Sequence, residues 1–518
     1  MKSILQFLTD MIRFDRSEPA FVLRERKNES YASRPAENRS GKAVSPSLDE
    51  NISYLKSLYR SDISNDLILR EFNLGGRVKA VAAFINGLSN SEAINDFILR
   101  DGMRAVCPTD QNICEYAKEN IFTIGDIKLS SELSDASKAI TDGLCVIFAD
   151  NEKLCIIADT RDYPQRGISV SENEKSVYGP KEAFIENIRT NISLIRRHTH
   201  TDDLVCELRP CGEESKTSIG ILYRDGVASV ELVAEVKRRI AQIDIRDMQS
   251  TGIIAQLTDN SPLSPIPQSL LTEKPDRCAS YLHDGHVVIL CDGCPMAAIL
   301  PVTLFSLLSA SEDVYSRPLI GGIMRLIRFI GALISVTVPG IFIAIVMYHQ
   351  GFLSSEILNT LIASRKMVFI PIGAELLLLL LVFQLVREAG MRVPGSVGQA
   401  IGIIGGLVLG QAVVAANLAS SVVLILVALT GLGSFCIPDY TTQLSSAYFR
   451  ILFVIAGWMG GFLGLGCAFL LFCAYLSGLN SYGVPFLSPF TPKTHFRRHS
   501  ILRGVISQKG TGKEDYMQ

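Results

Sequence analysis

Charged and apolar positions are distributed differently in the two halves of this chain. Up to about residue 315, charged residues alternate with apolar ones at the strand and helix periods of a protein that folds in water. Between Phe329 and Phe490, by contrast, nine residues are charged. The pattern predicts a large soluble N-terminal half followed by a polytopic membrane domain.

Three apolar stretches in the C-terminal half are long enough to cross a bilayer. Phe329 to Met347 is 19 residues without a charge, which as a helix spans about 30 Å. Ile451 to Leu476 predicts a second crossing. Val393 to Pro438 holds 46 uncharged residues, which is too long for one span. Polar residues at its middle predict a tight turn between two helices: Asn417, Ser420 and Ser421.

A fourth stretch, Met367 to Val386, leaves the number of crossings open because it contains Glu375. Arg325 and Arg328 precede the first span and the C-terminal tail is basic, so the positive-inside rule puts both on the cytoplasmic side. An even number of crossings satisfies this and makes Met367 to Val386 re-entrant. A full crossing there puts the arginines at 387 and 392 inside but sends the tail out. Four and five crossings both remain possible.

The soluble half has the alternating helix and strand patterns of an α/β fold, with no visible internal repeat. A helix starts at Leu48. The predicted division is a flexible leader over 1–48, a first α/β subdomain over 49–185, a second over 186–318, a helical membrane domain over 319–480 and a basic tail over 481–518. The predicted strands of the first subdomain are Val78 to Ile85, Gly143 to Phe148 and Leu154 to Ala158, the last two joined by a hairpin at Asp150-Asn151.

The second subdomain begins with a helix from Glu182 to Arg197, and an amphipathic helix covers Val230 to Ile243. Asp292-Gly293 predicts a hairpin turn. The predicted strands are Leu204 to Arg209, Ser218 to Tyr223, Ala279 to Leu282 and Val287 to Leu290.

The composition of the chain is informative mainly about its cellular compartment. The net charge of −2 averages a charged half with an apolar one. The N-terminus is too charged for a signal peptide. The twelve cysteines are scattered, as in a cytoplasmic protein, and form no compact disulfide framework. The soluble half is therefore expected to stay in the cytoplasm.

No motif in the soluble half indicates a catalytic site. Cys291 and Cys294 have metal or redox spacing but lack a second pair, so the hairpin reading is favoured. The histidine pairs at 198/200 and 283/286 are better explained as surface or turn residues than as ligands. The chain has no GxxxxGK[ST], HExxH or GxSxG motif. We predict neither an enzyme nor a cofactor, metal or nucleic-acid site.

Glu375 is the most consequential residue of the apolar half. A carboxylate within an apolar helix costs about 3 kcal/mol on insertion scales, so it normally faces a protein interior or a wet cavity. One hypothesis places it on an ion pathway, with Gln399 and Gln411 as further candidates. The alternative is a structural ion pair with Arg387 or Arg392.

Glycines recur at intervals of four residues in the apolar half, which lets helix backbones approach closely in lipid. The spacing indicates helix packing either between subunits of an oligomer or within one chain. The first stripe consists of Gly398, Gly402, Gly406 and Gly410, and a second of Gly457, Gly460, Gly461 and Gly464.

Five groups of ordered motifs cover residues 50 to 490 and resemble one known family. They are Val177-Tyr178-Gly179-Pro180 with Phe184-Ile185-Glu186-Asn187, Asn191 and Leu194-Ile195-Arg196-Arg197; Lys274-Pro275-Asp276-Arg277 with Asp292-Gly293 and Pro295; Glu312-Asp313-Val314-Tyr315 with Arg325 and Arg328; Arg387-Glu388-Ala389-Gly390-Met391-Arg392-Val393-Pro394 with Gly398, Gly405-Gly406, Gly410-Gln411 and Val414; and Gly483-Val484-Pro485 with Pro489.

Together these motifs resemble the A subunit family of bacterial spore germinant receptors. Two positions depart from the family pattern: Lys274 stands where arginine is usual, and Cys294 where a small hydroxyl residue is common. The tail beyond Pro492 does not align. The subtype stays open, since the family includes receptor A subunits and a paralogue linked to a spore-membrane channel for dipicolinic acid.

The resemblance implies a multi-pass protein of the spore inner membrane whose N-terminal half faces the spore core as two α/β subdomains. It implies a transporter-like B subunit and a lipoprotein C subunit as partners, and a ring of A subunits that conducts ions. Two hypotheses follow: an oligomeric, ligand-gated cation channel subunit, or a non-conducting scaffold that transmits a partner's signal. A secondary transporter is weaker, because no inverted repeat is visible.

Overall fold

The computed structural model describes residues 42–107, 112–161, 171, 174, 178–392, 406 and 410–490. Its N-terminal half contains two α/β units, each built on a five-stranded antiparallel sheet. The elements of the first unit are α1 (Leu48–Leu58), β1 (Leu67–Leu74), β2 (Val78–Ile85), helical turns at Ser91–Ala93, Ile94–Leu99 and Arg100–Arg104, α2 (Ile113–Asn120), β3 (Ile127–Ser130), α3 (Leu133–Thr141), β4 (Cys145–Ala149) and β5 (Cys155–Ala158).

The second unit repeats this succession of elements. They are α4 (Ile188–Thr199), β6 (Leu204–Cys211), β7 (Thr217–Arg224), α5 (Val230–Ala241), α6 (Thr251–Thr258), β8 (Leu270–Thr272), α7 (Pro275–His283), β9 (Val287–Cys291) and β10 (Ala297–Leu300). The expected α/β character of the N-terminal half is confirmed.

The two units are structural repeats, which corrects the expectation of no internal repeat. Their sheets have the same strand order, β1-β2-β4-β5-β3 and β6-β7-β9-β10-β8. In the first unit the buried Asn51 side chain binds both backbone groups of Ser45, at 3.0 and 2.7 Å. In the second unit Asn191 binds both backbone groups of Ile185 in the same way. An Asn-Ile-Ser triplet in the first helix of each unit is the trace of this repeat in the sequence.

Helices cover both faces of each sheet, which explains why the central strands have no polar side. In β9, Val287 and Ile289 join one buried apolar cluster while Val288 and Leu290 join another. Strands buried on both faces are continuously apolar rather than alternating. Each unit therefore consists of a sheet between two helical layers, and this packed core supports the loops at the edges of the sheet.

Most local predictions for this half are confirmed, with two errors. The helix predicted from Glu182 begins only at Ile188, because the Asn187 side chain caps it there, and one predicted strand is helical. Both predicted hairpins form, and the turn residues Asn151 and Gly293 have φ of 63° and 79°. The predicted strand Ala279 to Leu282 is wrong because these residues lie in α7. Pro275 occupies the first turn of that helix, where its fixed φ suits a helix start and its missing N–H is not needed.

The C-terminal half is helical. Its elements, after short turns at Leu304–Leu307 and Glu312–Tyr315, are α8 (Pro318–Tyr348), a turn at Gln350–Phe352, α9 (Ser355–Arg365), α10 (Ile372–Arg392), helical residues 410–415, α11 (Ser421–Phe435), α12 (Tyr440–Gly478), β11 (Asn480–Ser481) and β12 (Val484–Pro485). Among the described residues, α8 and α12 are long and apolar enough to cross a membrane, and α11 is a shorter apolar helix. The predicted turn before Ser421 is present, with Asn417 at φ 54°.

α12 is a helical hairpin and not the single span predicted for Ile451 to Leu476. Gly461 interrupts it with φ 55° and ψ −141°. The rings of Phe449 and Phe472 lie 4.8 Å apart, whereas a straight helix would separate these residues by about 35 Å. The two arms, 440–460 and 462–478, therefore run antiparallel.

The helices have a near end beside the second α/β unit and a far end opposite to it. α8 leaves that unit, and Tyr348 at its far end donates to the carbonyl of Trp458 at 2.8 Å, close to the hairpin apex. The second arm of α12 returns to the near end, where Tyr475 and Ser264 are hydrogen-bonded at 2.7 Å. The chain thus leaves and re-enters on the same side.

The first residues of the predicted basic tail are part of the second unit. Asn260 donates to the carbonyl of Asn480 at 2.6 Å. Tyr482 and Phe486 are fully buried against its two apolar clusters. Residues 479–486 therefore form a strap that fastens the end of α12 to the α/β unit from which α8 departs.

We expect Gly461→Ala to lower the thermal unfolding midpoint of the detergent-purified chain. Only glycine tolerates this φ and ψ, so the substitution should cost about 1–3 kcal/mol. Gly466→Ala is the matched control, because a Cβ there meets no atom within 4 Å. Equal midpoints for the two variants would contradict the hairpin.

Candidate functional site

A buried carboxylate joins the second α/β unit to α8. Asp313, which is 2% exposed, accepts from Arg325 Nε at 2.9 Å and from Arg328 Nη1 at 2.8 Å. Its Oδ2 also accepts from the backbone N–H of Ala310 at 3.2 Å. Two arginines one turn apart on α8 thus share one carboxylate, and this group of residues is called the junction.

A second set of polar contacts extends the junction into α7. The Tyr315 hydroxyl donates to Asp276 Oδ2 at 2.6 Å. The Lys274 ammonium is fully buried, 3.8 Å from the same carboxylate oxygen. Burial and the hydrogen bond to Asp276 raise the pKa of Tyr315, so the phenol stays a protonated donor near neutral pH. Burial of charge at such a site requires ionic partners.

Two further motif residues close the junction. Arg277 is buried, with Nη1 3.1 Å from Glu174 and Nη2 donating to the carbonyl of Ser309 at 2.8 Å. Gly179 has φ +101°, and a Cβ there would lie 2.6 Å from the Tyr315 ring. Motifs that are separated by more than a hundred residues in the sequence therefore meet at the start of α8.

Helix α4, which carries most of the first motif group, holds the two α/β units together. Arg196 is buried and donates to Asp66 Oδ2 at 2.8 Å, across the boundary between the units. Asn187 caps α4 by accepting from the N–H groups of Arg189 and Thr190. Arg197 pairs with Glu182. The Glu186 side chain is exposed, while its carbonyl accepts from Gly293 N–H at 2.8 Å.

Glu375 lies at the far end, away from the junction, and is fully buried. Its Oε1 accepts from the N–H and the hydroxyl of Ser420 at 2.7 and 2.9 Å, at the start of α11. Its Oε2 lies 3.3 Å from Arg365 Nε. The observed cation is therefore Arg365 of α9 and not Arg387, which lies twelve residues, or about 18 Å, along α10.

The remaining predicted residues are distributed along the apolar half. Glu388 is half-buried on α10, which ends at Arg392. Gly406 is exposed, and a Cβ there would meet nothing within 4 Å. A Cβ at Gly410 would lie 3.5 Å from the Leu424 side chain. Gln411 is exposed. The predicted residues outside the described part of the chain are Pro394, Gly398, Gln399 and Gly402.

The second glycine stripe divides into two roles within one chain. A Cβ at Gly457 would lie 2.5 Å from the Gly340 carbonyl, so α8 and α12 touch through their backbones. Gly461 and Gly464 form the hairpin apex, where a Cβ at Gly464 would lie 2.2 Å from the Ala456 carbonyl. Gly460 has no atom within 4 Å of a Cβ.

Neither Arg365 nor the capping role of Ser420 was predicted from the sequence. The sequence contained only a weak indication of this ion pair: a basic residue lies ten positions before Glu375, on the other side of Pro371. A helix N-terminus favours a carboxylate because its first N–H groups are unpaired. The junction and the Glu375 cluster both consist of paired charges. This arrangement is suited to holding the surrounding helices in fixed relative positions.

Residues 53–511 match the family described as Bacillus/Clostridium GerA spore germination protein. The chain is 32% identical over 451 residues to spore germination protein KA of Bacillus subtilis (strain 168), covering 87% of this chain and 82% of the relative. It is 35% identical over 380 residues to spore germination protein A1 of the same organism, covering 72% and 79%.

Two further likenesses cover different parts of the chain. The uncharacterized membrane protein YfkQ of Bacillus subtilis (strain 168) is 30% identical over 466 residues, 90% of each chain. The crystal structure of the N-terminal domain of the A subunit of the Bacillus megaterium spore germinant receptor GerK3 is 26% identical, with a TM-score of 0.40 over 50% of this chain and 97% of that domain. The family match spans both halves and confirms the resemblance found in the motifs: the chain belongs to the Bacillus/Clostridium GerA spore germination protein family.

Proposed function

We propose that this protein is an A-type subunit of a spore germinant receptor, in which the N-terminal half relays a partner's signal to a helical membrane domain. The observation that carries this is the junction. Asp313 of the connection after the second α/β unit holds Arg325 and Arg328 of α8, 2.8–2.9 Å away. A displacement of that unit would move the first membrane helix through buried ionic contacts.

The strap provides a second mechanical link on the same side. Because α8 leaves the second unit and residues 479–486 return to it, both links face one side of any membrane that the helices cross. Arg325 and Arg328, at the near end of α8, favour the cytoplasmic side, which in a spore is the core. We therefore propose a multi-pass protein of the spore inner membrane with its N-terminal half toward the core.

We further propose that the helical domain conducts ions as an oligomer. Glu375 is a fully buried carboxylate among apolar helices. An ionisable residue in such a place is by default a candidate for an ion pathway. Gly406 is exposed in the single chain, which leaves that part of the first stripe free to contact another subunit. The partners that family membership suggests are a transporter-like B subunit and a lipoprotein C subunit.

One observation favours a non-conducting scaffold instead. Both oxygens of Glu375 already face partners in the same chain, Ser420 and Arg365, so the carboxylate has a structural use. In that alternative the helices anchor a relay and conduct nothing. A role beside the dipicolinic acid channel is a further alternative, which the family resemblance of the motifs leaves open.

The junction predicts that Asp313→Asn lowers both stability and germination. Removing one partner of a buried ion pair typically costs about 3–5 kcal/mol, so we expect a lower unfolding midpoint for the purified chain and slower nutrient-triggered germination of spores. Glu214→Gln, which breaks an exposed pair with Arg246 at 3.6 Å, is the matched control. Normal germination of Asp313→Asn spores would exclude the relay.

Ion conduction is tested by Glu375→Gln. The glutamine keeps an acceptor for Ser420 but removes the charge, so a pathway role predicts a clear fall in ion flux through the reconstituted chain. Ser420→Ala, which loses the hydroxyl's bonds to Glu375 and to the Val423 N–H but no charge, should leave flux nearly unchanged. Unaltered flux in Glu375→Gln would support the scaffold.

The oligomer is tested by Gly406→Leu. In a single chain a side chain there has open space, so packing within one subunit predicts no effect. Close packing between subunits predicts a smaller species in size analysis of the detergent-solubilised protein, because the leucine separates the backbones. Gly402→Leu should behave alike, with Gly466→Leu as the control. An unchanged oligomer in both would reject the intersubunit contact.

A further inference from the structure

Arg450 is a buried cation that the proposed function does not use. It lies on the first arm of α12 and is 4% exposed. Within the part of the chain that the structure describes, no carboxylate pairs with it. Instead its Nε donates to the backbone carbonyl of Ser335 at 2.8 Å, and its Nη2 donates to the Ser335 hydroxyl. A charged group in such a place requires an explanation.

The explanation lies in the sequence of α8. Pro339 is inside this helix, and proline has no N–H to donate to the carbonyl four residues earlier. That carbonyl belongs to Ser335, which is fully buried. A buried carbonyl without a donor is strongly disfavoured. The Arg450 guanidinium donates to the carbonyl that the proline leaves open.

The two helices are in backbone contact immediately beyond this point. A Cβ at Gly340 would lie 2.6 Å from the carbonyl of Phe453, and one at Gly457 would lie 2.5 Å from the Gly340 carbonyl. Arg450, Phe453 and Gly457 lie on one face of α12, at the three- and four-residue spacing of a helix. The hydrogen bond and the close contact therefore belong to one seam between α8 and α12.

We propose that Arg450 is the positioning residue of α8: its guanidinium replaces the N–H that Pro339 lacks and fastens α12 to α8 at the interruption. The two parts of α8 are then held together through α12 at the point where the helix lacks one of its own hydrogen bonds. This inference rests on the proposed function only in assigning a use to that rigidity, namely carrying motion from the junction to the far end.

A double-mutant cycle on the full-length, detergent-purified chain tests the assignment. Arg450→Gln should lower the thermal unfolding midpoint by several degrees. Pro339→Ala restores the N–H, so in that background the same arginine substitution should lose at most half as much. Ser335→Ala, which removes the hydroxyl and keeps the carbonyl, should cost less than Arg450→Gln. A merely space-filling arginine would show no dependence on residue 339.

Equal losses from Arg450→Gln in both backgrounds would overturn the proposal. If that variant does not accumulate, Arg450→Lys permits the same comparison, because a lysine retains the charge but cannot bond both Ser335 oxygens as a guanidinium does. Germination of spores carrying the double variant reports separately on the proposed function. A double variant that regains its midpoint but germinates as slowly as Arg450→Gln would support the hydrogen-bond assignment and count against the relay through α8.

Discussion

The architecture depends on one buried ionic contact, in which Asp313 is shared by Arg325 and Arg328. This contact lies where the second α/β unit meets a helix apolar enough for a membrane. Asp313 and Arg325 are buried there and Arg328 is largely buried. Buried charges need ionic or hydrogen-bonding partners, and removing one partner of a buried ion pair leaves the remaining charge uncompensated in a low-dielectric environment. The start of α8 is therefore held in one orientation relative to the second α/β unit.

Around this contact the chain forms a closed mechanical loop. α8 leads away from the second unit, the arms of α12 run out and back, and the strap at 479–486 ends on the unit from which α8 started. The backbones of α8 and α12 touch at Gly340 and Gly457. In such a loop, motion of the α/β unit acts on both ends of the helical half at once, which suits a relay better than a passive anchor.

The charged clusters at the two ends of the helices differ in kind. The junction joins different domains through arginines and a shared carboxylate. At the far end Glu375 joins three helices, capping α11 through Ser420 and pairing with Arg365. A helix N-terminus and a cation both favour the ionised carboxylate. This makes the same group available either as a structural cap or as a fixed charge beside a pathway.

Residue patterns alone were enough to predict the division into an α/β half and an apolar half, most strands, both hairpins and the motifs that meet at the junction. Those features depend on local periodicity and on the residue types that turns require, and both can be recognised from consecutive residues. The tertiary structure was needed to reveal the internal repeat, since the two units share strand order and the roles of Asn51 and Asn191 but few side chains. It likewise decided that Gly461 folds α12 back on itself, that residues 279–282 are helical, and that Arg365 pairs with Glu375. Each of these depends on which distant residues come into contact, and hydrophobic pattern along a chain carries no information about that.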